Sequence, residues 1–149
     1  MEQDDEIRAL EQRIEKARAA RAQAEAEAER AAKVAALERQ ARLAEQALVD
    51  EPHIAAARQT YGVDGIAVVD SDLGAFVVRA PNHLKWNALA AKADKVGHAD
   101  LVSMVRSCLV YPDWPRADKM LEEAPAALGV IVDAIVQLAQ HRATIRAGK

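Results

Sequence analysis

Bulky apolar side chains are sparse over the first fifty positions, where alanine supplies most of the apolar residues, and denser after them. Ile7, Leu10 and Ile14 recur at steps of three and four, and so do Val34, Leu37, Ala41, Ala44 and Leu48. That spacing puts each set on one face of a helix. The positions between are almost all Ala, Glu, Arg, Gln and Lys, with neither Gly nor Pro, and these are strong helix formers. The pattern predicts a helix over about 4–49, roughly 70 Å long at about 1.5 Å per residue. The second apolar set does not continue the phase of the first. Arg21 interrupts the seam, and only alanine is available in the middle. Two readings stand: two short coiled-coil seams joined by a weakly packing stretch, or a solvated helix held by Glu/Arg pairs four residues apart.

Asp50-Glu51-Pro52 reads as a break. Asp50 suits an N-cap and Pro52 a first turn, so a short second helix is expected to about Gln59. The stretch GIAVVDSDLGAFVVRAP follows, with two β-branched runs, 66–69 and 75–78, flanking DSDLG. This predicts a β-hairpin within about 63–80, closed by a longer Gly-containing turn. Such a hairpin is marginal alone and needs helices to lie on.

Beyond Pro81 the period becomes helical. A helix beginning at Asn82 or His83 carries Leu84, Trp86 and Leu89 and stops near Gly97. Leu101, Met104, Val105, Cys108 and Leu109 then form an amphipathic stripe, ended by Pro112. Asp113 suits the N-cap of a short helix with Trp114, Ala117, Met120 and Leu121. Pro125 opens a last helix with Leu128, Ile131, Val132, Ile135 and Leu138. The expected fold is mainly α: a long charged helix over 1–50, a possible coiled coil, then a small helical domain over 51–149 with one hairpin.

Composition narrows the function classes. The 149 residues carry 20 basic and 23 acidic side chains, a net charge of −3, so no strong field draws nucleic acid. The N-terminus, MEQDDEIRAL, lacks the apolar segment of a secretory signal, and no apolar run is long enough for a bilayer. A single cysteine allows no internal disulfide and fits a reducing compartment. The expectation is a cytoplasmic protein that meets neither membrane nor nucleic acid.

Candidate chemistry is thin. Cys108 sits mid-stripe with no histidine near it in sequence, which suits a small packed hydrophobe better than a nucleophile. His53, His83, His98 and His141 are not spaced as metal ligands with each other or with Cys108. Asp70-Ser71-Asp72-Leu73-Gly74 begins like a calcium loop. However, its glycine comes one position early and Pro81 stands where the closing acid belongs. An ordinary turn fits better. No enzyme, cofactor or metal is expected.

Three segments taken in order, FVVRAPNHLKWNAL, DLVSMVRSCLVYPD and MLEEAPAALGVIVDAIVQLA, resemble the tail assembly chaperones of long-tailed bacteriophages. The resemblance runs from about Phe76 to Ala139. It implies a binding protein that holds the long helical tape measure protein in the host cytoplasm and promotes assembly of tail tube protein around it. Carried over by position, it points to Arg79, Pro81, Trp86, Cys108, Tyr111, Pro112, Asp113 and Pro125, most of them fold determinants. Trp114 joins them as a residue wedging the corner after Pro112. The first fifty residues depart from that layout and read as an added arm for self-association or partner binding, with Ile7, Leu10, Ile14, Val34, Leu37 and Leu48 as its seam. The alternative expectation is an oligomeric structural component of a virion or other assembly, with this arm as its stem.

Overall fold

The computed structural model describes the backbone of residues 1–147 and the side chains of residues 1–92 and 94–141. The chain divides into two compact units, Met1–Arg42 and Leu43–Lys149. Helix α1 spans Glu2–Tyr61 and runs through both. Its part in the first unit is exposed at every residue, so it has no core of its own and relies on helix propensity and local pairs. Arg21 Nε meets Glu25 Oε1 at 3.2 Å, and Gln23 Nε2 donates to Glu27 Oε1 at 3.4 Å.

The expected break at Asp50-Glu51-Pro52 does not occur: Pro52 lies inside α1. Proline there removes the bond to the carbonyl of Leu48, a cost of about 3 kcal/mol. Two features offset it. Leu48 and Pro52 are both exposed, so the freed carbonyl stays hydrated. On the other side of the same turns, Asp50, Ile54 and Ala57 are buried against the sheet and hold the helix in place.

The second unit is built on three antiparallel strands in the order β1-β2-β3. Strands β1 (Ile66–Ser71) and β2 (Gly74–Arg79) form the expected hairpin, paired from Ile66↔Arg79 to Ser71↔Gly74. Its turn is shorter than DSDLG suggests, with only Asp72 and Leu73 between the closing pair. Gly74 has φ +136°, a conformation that disfavours a side chain.

Strand β3 (Leu109–Tyr111) was not expected; those residues read as the end of a helix. Helix α3 (His98–Cys108) instead stops at Cys108, and Leu109 and Tyr111 in the strand that follows pair with β2. The other helices are α2 (His83–Lys92), α4 (Trp114–Glu123) and α5 (Ala126–Ala147). Asn82 caps α2 by accepting the Lys85 N–H at 2.8 Å. Asp113 holds the N-cap position of α4 in extended backbone, but its side chain makes no capping bond, against expectation; the Asp113 carbonyl and Pro115 start the helix.

The sheet is covered on both faces, so β2 is buried from Gly74 to Val78 and reads as a continuous apolar run. Phe76 and Val78 point to one face, where Met104, Val105 and Cys108 of α3, Ala117 and Met120 of α4, and Ile131 and Ile135 of α5 enclose them. Ala75 and Val77 point to the other, against Ile54 and Ala57 of α1.

Candidate functional site

Asp50, only 3% exposed, accepts three hydrogen bonds in the second unit. Its Oδ2 accepts the Ala75 N–H at 2.9 Å, and its Oδ1 accepts Gln46 Nε2 at 2.9 Å and the Tyr111 hydroxyl at 2.6 Å. Strand geometry explains the first bond. Ser71↔Gly74 closes a two-residue hairpin and is a hydrogen-bonded pair. The next pair, Asp70↔Ala75, is therefore non-hydrogen-bonded, and the Ala75 N–H faces away from β1. On that side β3 reaches only to Val77. The carboxylate takes the place of the missing strand and satisfies a buried donor.

A bulge delivers Tyr111. One step along β2, Val77 to Val78, faces two steps along β3, Tyr111 to Leu109. The extra residue puts both Val110 and Tyr111 on the α1 face of the sheet. The Tyr111 ring stacks on His53, with centroids 4.3 Å apart and planes 12° apart, and its hydroxyl lies 3.4 Å from Arg116 Nη1. Burial and then the Asp50 carboxylate raise the Tyr111 phenol above its ordinary value of 10.0, while Arg116 pulls the other way. The folded chain thus keeps a proton that the unfolded chain loses. This contribution to stability is complete below about pH 10 and fades as pH rises through the folded value. Urea midpoints of the wild type will therefore fall more steeply above pH 10 than those of Tyr111→Phe, measured in parallel.

The arrangement is a clasp between helix, hairpin and bulged strand. A cavity of about 410 Å³ lies beside it, with Leu43, Gln46, Asp70, Ser71 and Gly74 among its lining. Ser71 Oγ donates to the Gly74 carbonyl at 2.7 Å and accepts the Leu73 N–H at 3.2 Å, which closes the turn. A second groove of about 220 Å³ lies between α2 and α3, crossed by Lys92 Nζ to Asp100 Oδ1 at 2.6 Å and Lys85 Nζ to Ser103 Oγ at 3.3 Å. Lys92 and the Gly97 N–H hold the Asp100 carboxyl below its usual value. Among the described residues no three His, Cys, Asp or Glu converge as a metal site. No helix among them is long and apolar enough to cross a membrane. Cys108 is 1% exposed, and burial raises its thiol pKa, which withholds the reactive thiolate.

The residues singled out in sequence do not form one site. Tyr111, Pro112, Asp113 and Trp114 share the corner between β3 and α4. Pro112 is buried, and Trp114 is half-buried with the Arg106 guanidinium 5.5 Å from its ring. Arg79 lies 5.8 Å from the ring of Tyr61 and lines a small hollow with Pro81. Trp86 is half-buried against the main core, and Pro125 is exposed at the start of α5. The seam residues Ile7, Leu10, Ile14, Val34, Leu37 and Leu48 are all exposed, from 48% at Leu10 to 77% at Leu48. The face of α1 that meets the sheet is a different one, carrying Leu43, Gln46, Asp50, Ile54 and Ala57, and Leu48 lies about 200° round the helix from Asp50. That second stripe has a 3-4-4-3 spacing running straight through Pro52, which its polar members and the proline conceal in the sequence. No protein-family model, curated protein or solved structure matches this chain.

Proposed function

We propose that this protein is a non-catalytic assembly factor of the tail assembly chaperone kind, which binds a long helical client through apolar residues of α1. The observation that carries the reading is the exposure of Ile7, Leu10, Ile14, Val34 and Leu37. Isolated exposed apolar residues are ordinary, but Ile7, Leu10 and Ile14 share one face at helical spacing and Val34 and Leu37 another, on a stretch of α1 with no core of its own, as helix-packing partners require. The compact second unit gives the arm a folded base.

Co-expression with a tape measure protein encoded beside it tests the proposal. The client is expected to stay soluble and to elute with this chain on gel filtration. Changing Ile7, Leu10 and Ile14 together to Asp removes three apolar anchors worth about 1.5 kcal/mol each or more, so client affinity should fall on the order of 10³-fold. Tryptophan fluorescence will show the second unit still folded, because Trp86 and Trp114 both lie there. An insoluble client and no recoverable complex would sink the proposal.

A further inference from the structure

The two edges of the sheet in the second unit differ. At one, β3 has three residues, carries the bulge and runs into the buried Pro112, devices that keep an edge from pairing. At the other, β1 ends the order β1-β2-β3, and no strand pairs with its outer side. It has six residues, IAVVDS, paired to β2 without a shift from Ile66 to Ser71. It holds no Pro, Lys or Arg, and its one charge is Asp70. Because Ser71↔Gly74 is hydrogen-bonded, the pairs at Asp70, Val68 and Ile66 are the non-hydrogen-bonded ones. Their N–H and C=O groups point away from β2, toward the open edge.

Those three positions are symmetric about Val68. A second copy laid antiparallel with Val68 at the centre brings Val68 to Val68, and Ile66 to Asp70 at both ends, so every outward donor meets an acceptor. Sliding either copy by two residues leaves Ile66 or Asp70 beyond the paired strand. On the α1 face, the row across the junction reads Asp70, then Ile66 and Arg79 of the second copy. Opposite charges then stand about 10 Å apart and no like charges meet. The helices leave room for this. α1 stands over β2, where Ile54 and Ala57 meet Ala75 and Val77, so its copy is three strand spacings away, about 14 Å. That exceeds a helix diameter of about 10–12 Å. On the other face α5 rests on β1 and β2. Its copy is two spacings away, about 10 Å, the distance at which helices pack. Both flanks of α5 are apolar, with Val130 and Ala134 on one and Gly129, Val132 and Val136 on the other. Val130 is 55% exposed and a Cβ at Gly129 would meet nothing within 4 Å, so α5 has apolar surface that its own fold leaves uncovered.

We infer that the second unit forms a twofold dimer through the β1 edge, joining two three-stranded sheets into one continuous antiparallel sheet. This self-association goes beyond client binding and leaves the apolar residues of the arm free for it. Failure of the client experiment does not touch it.

Sedimentation equilibrium of the full chain and amide exchange by NMR test the inference. The wild type is expected to sediment as a dimer, and exchange of the Val68 and Asp70 amides to slow as protein concentration rises. Val68→Lys sets two like charges at the centre of the junction. Val68→Pro removes the central N–H without taking a bond from the hairpin, because that N–H faces outward. Each should weaken the dimer on the order of 100-fold or more, with tryptophan fluorescence unchanged. Changing Ile7, Leu10 and Ile14 together to Asp should leave the dimer intact. If either Val68 variant loses its native fluorescence, the concentration dependence of the wild-type amides decides alone. A wild type that sediments as a monomer overturns the inference. So does a dimer that the arm variant dissolves, and so does a dimer whose Val68 and Asp70 amides exchange at a rate independent of concentration.

Discussion

Asp50→Ala is expected to lower the unfolding free energy of the second unit by about 3 kcal/mol, measured by urea titration of tryptophan fluorescence. The carboxylate accepts from three donors at once, and the Ala75 N–H among them belongs to a fully buried strand. Truncation leaves that N–H without a partner and releases the Tyr111 hydroxyl, so α1 loses its polar tie to both β2 and β3. Each stranded buried group costs about 1–3 kcal/mol. Asp50→Asn separates shape from charge. Its amide oxygen can still take the Ala75 N–H, while its NH₂ replaces Oδ1 and faces both Gln46, which can turn its own amide to accept, and the Tyr111 hydroxyl, which can accept instead of donate. The Asn variant should therefore retain more than half of the stability that the Ala variant loses. Equal losses in the two would show that the carboxylate's charge, and not the satisfaction of donors, holds the clasp.

Phe76→Ala should cost about 3–5 kcal/mol by the same measurement, the range for emptying a large aromatic from a packed core. Phe76 is 0% exposed, in the middle of the central strand, and is enclosed by α3, α4 and α5. Those elements converge on it from three directions, so none can close the void without leaving its other contacts. Phe76→Leu keeps most of the volume and should cost about 1.5 kcal/mol or less. Leu84→Ala is the control: Leu84 is 70% exposed, and the change should stay within about 0.5 kcal/mol. Against a total of roughly 5–15 kcal/mol for a domain of this size, the Phe76 and Asp50 losses are each large enough to leave a partly unfolded population.

The contrast between these two residues shows how much was legible. Phe76 lies in a run of β-branched and apolar side chains, and its strand, partner strand and burial follow from local pattern. The long helix, the hairpin, and α2 to α5 were likewise readable, because each repeats its period over several turns or is bounded by Pro or Gly. Asp50 looked like a cap before a proline, the usual local meaning of Asp-x-Pro. β3 has only three residues, too few to show an alternation, and it follows directly on a helical stripe. The bulge that turns Tyr111 toward Asp50 leaves no sequence mark. The spacing of the arm's apolar residues was visible in the sequence, and all six of them are exposed.

Determined by the sequence alone were the helical arm, the hairpin and the amphipathic faces of the later helices. Propensity and periodicity act over a few residues and need no distant partner. The tertiary structure alone decided that α1 continues through Pro52, that Leu109–Tyr111 is a strand, and that a carboxylate closes the open side of β2. Each of these depends on groups 25 to 61 positions apart meeting in one buried place. There, burial of a sheet face and the need to satisfy its donors outweigh what the local residues prefer.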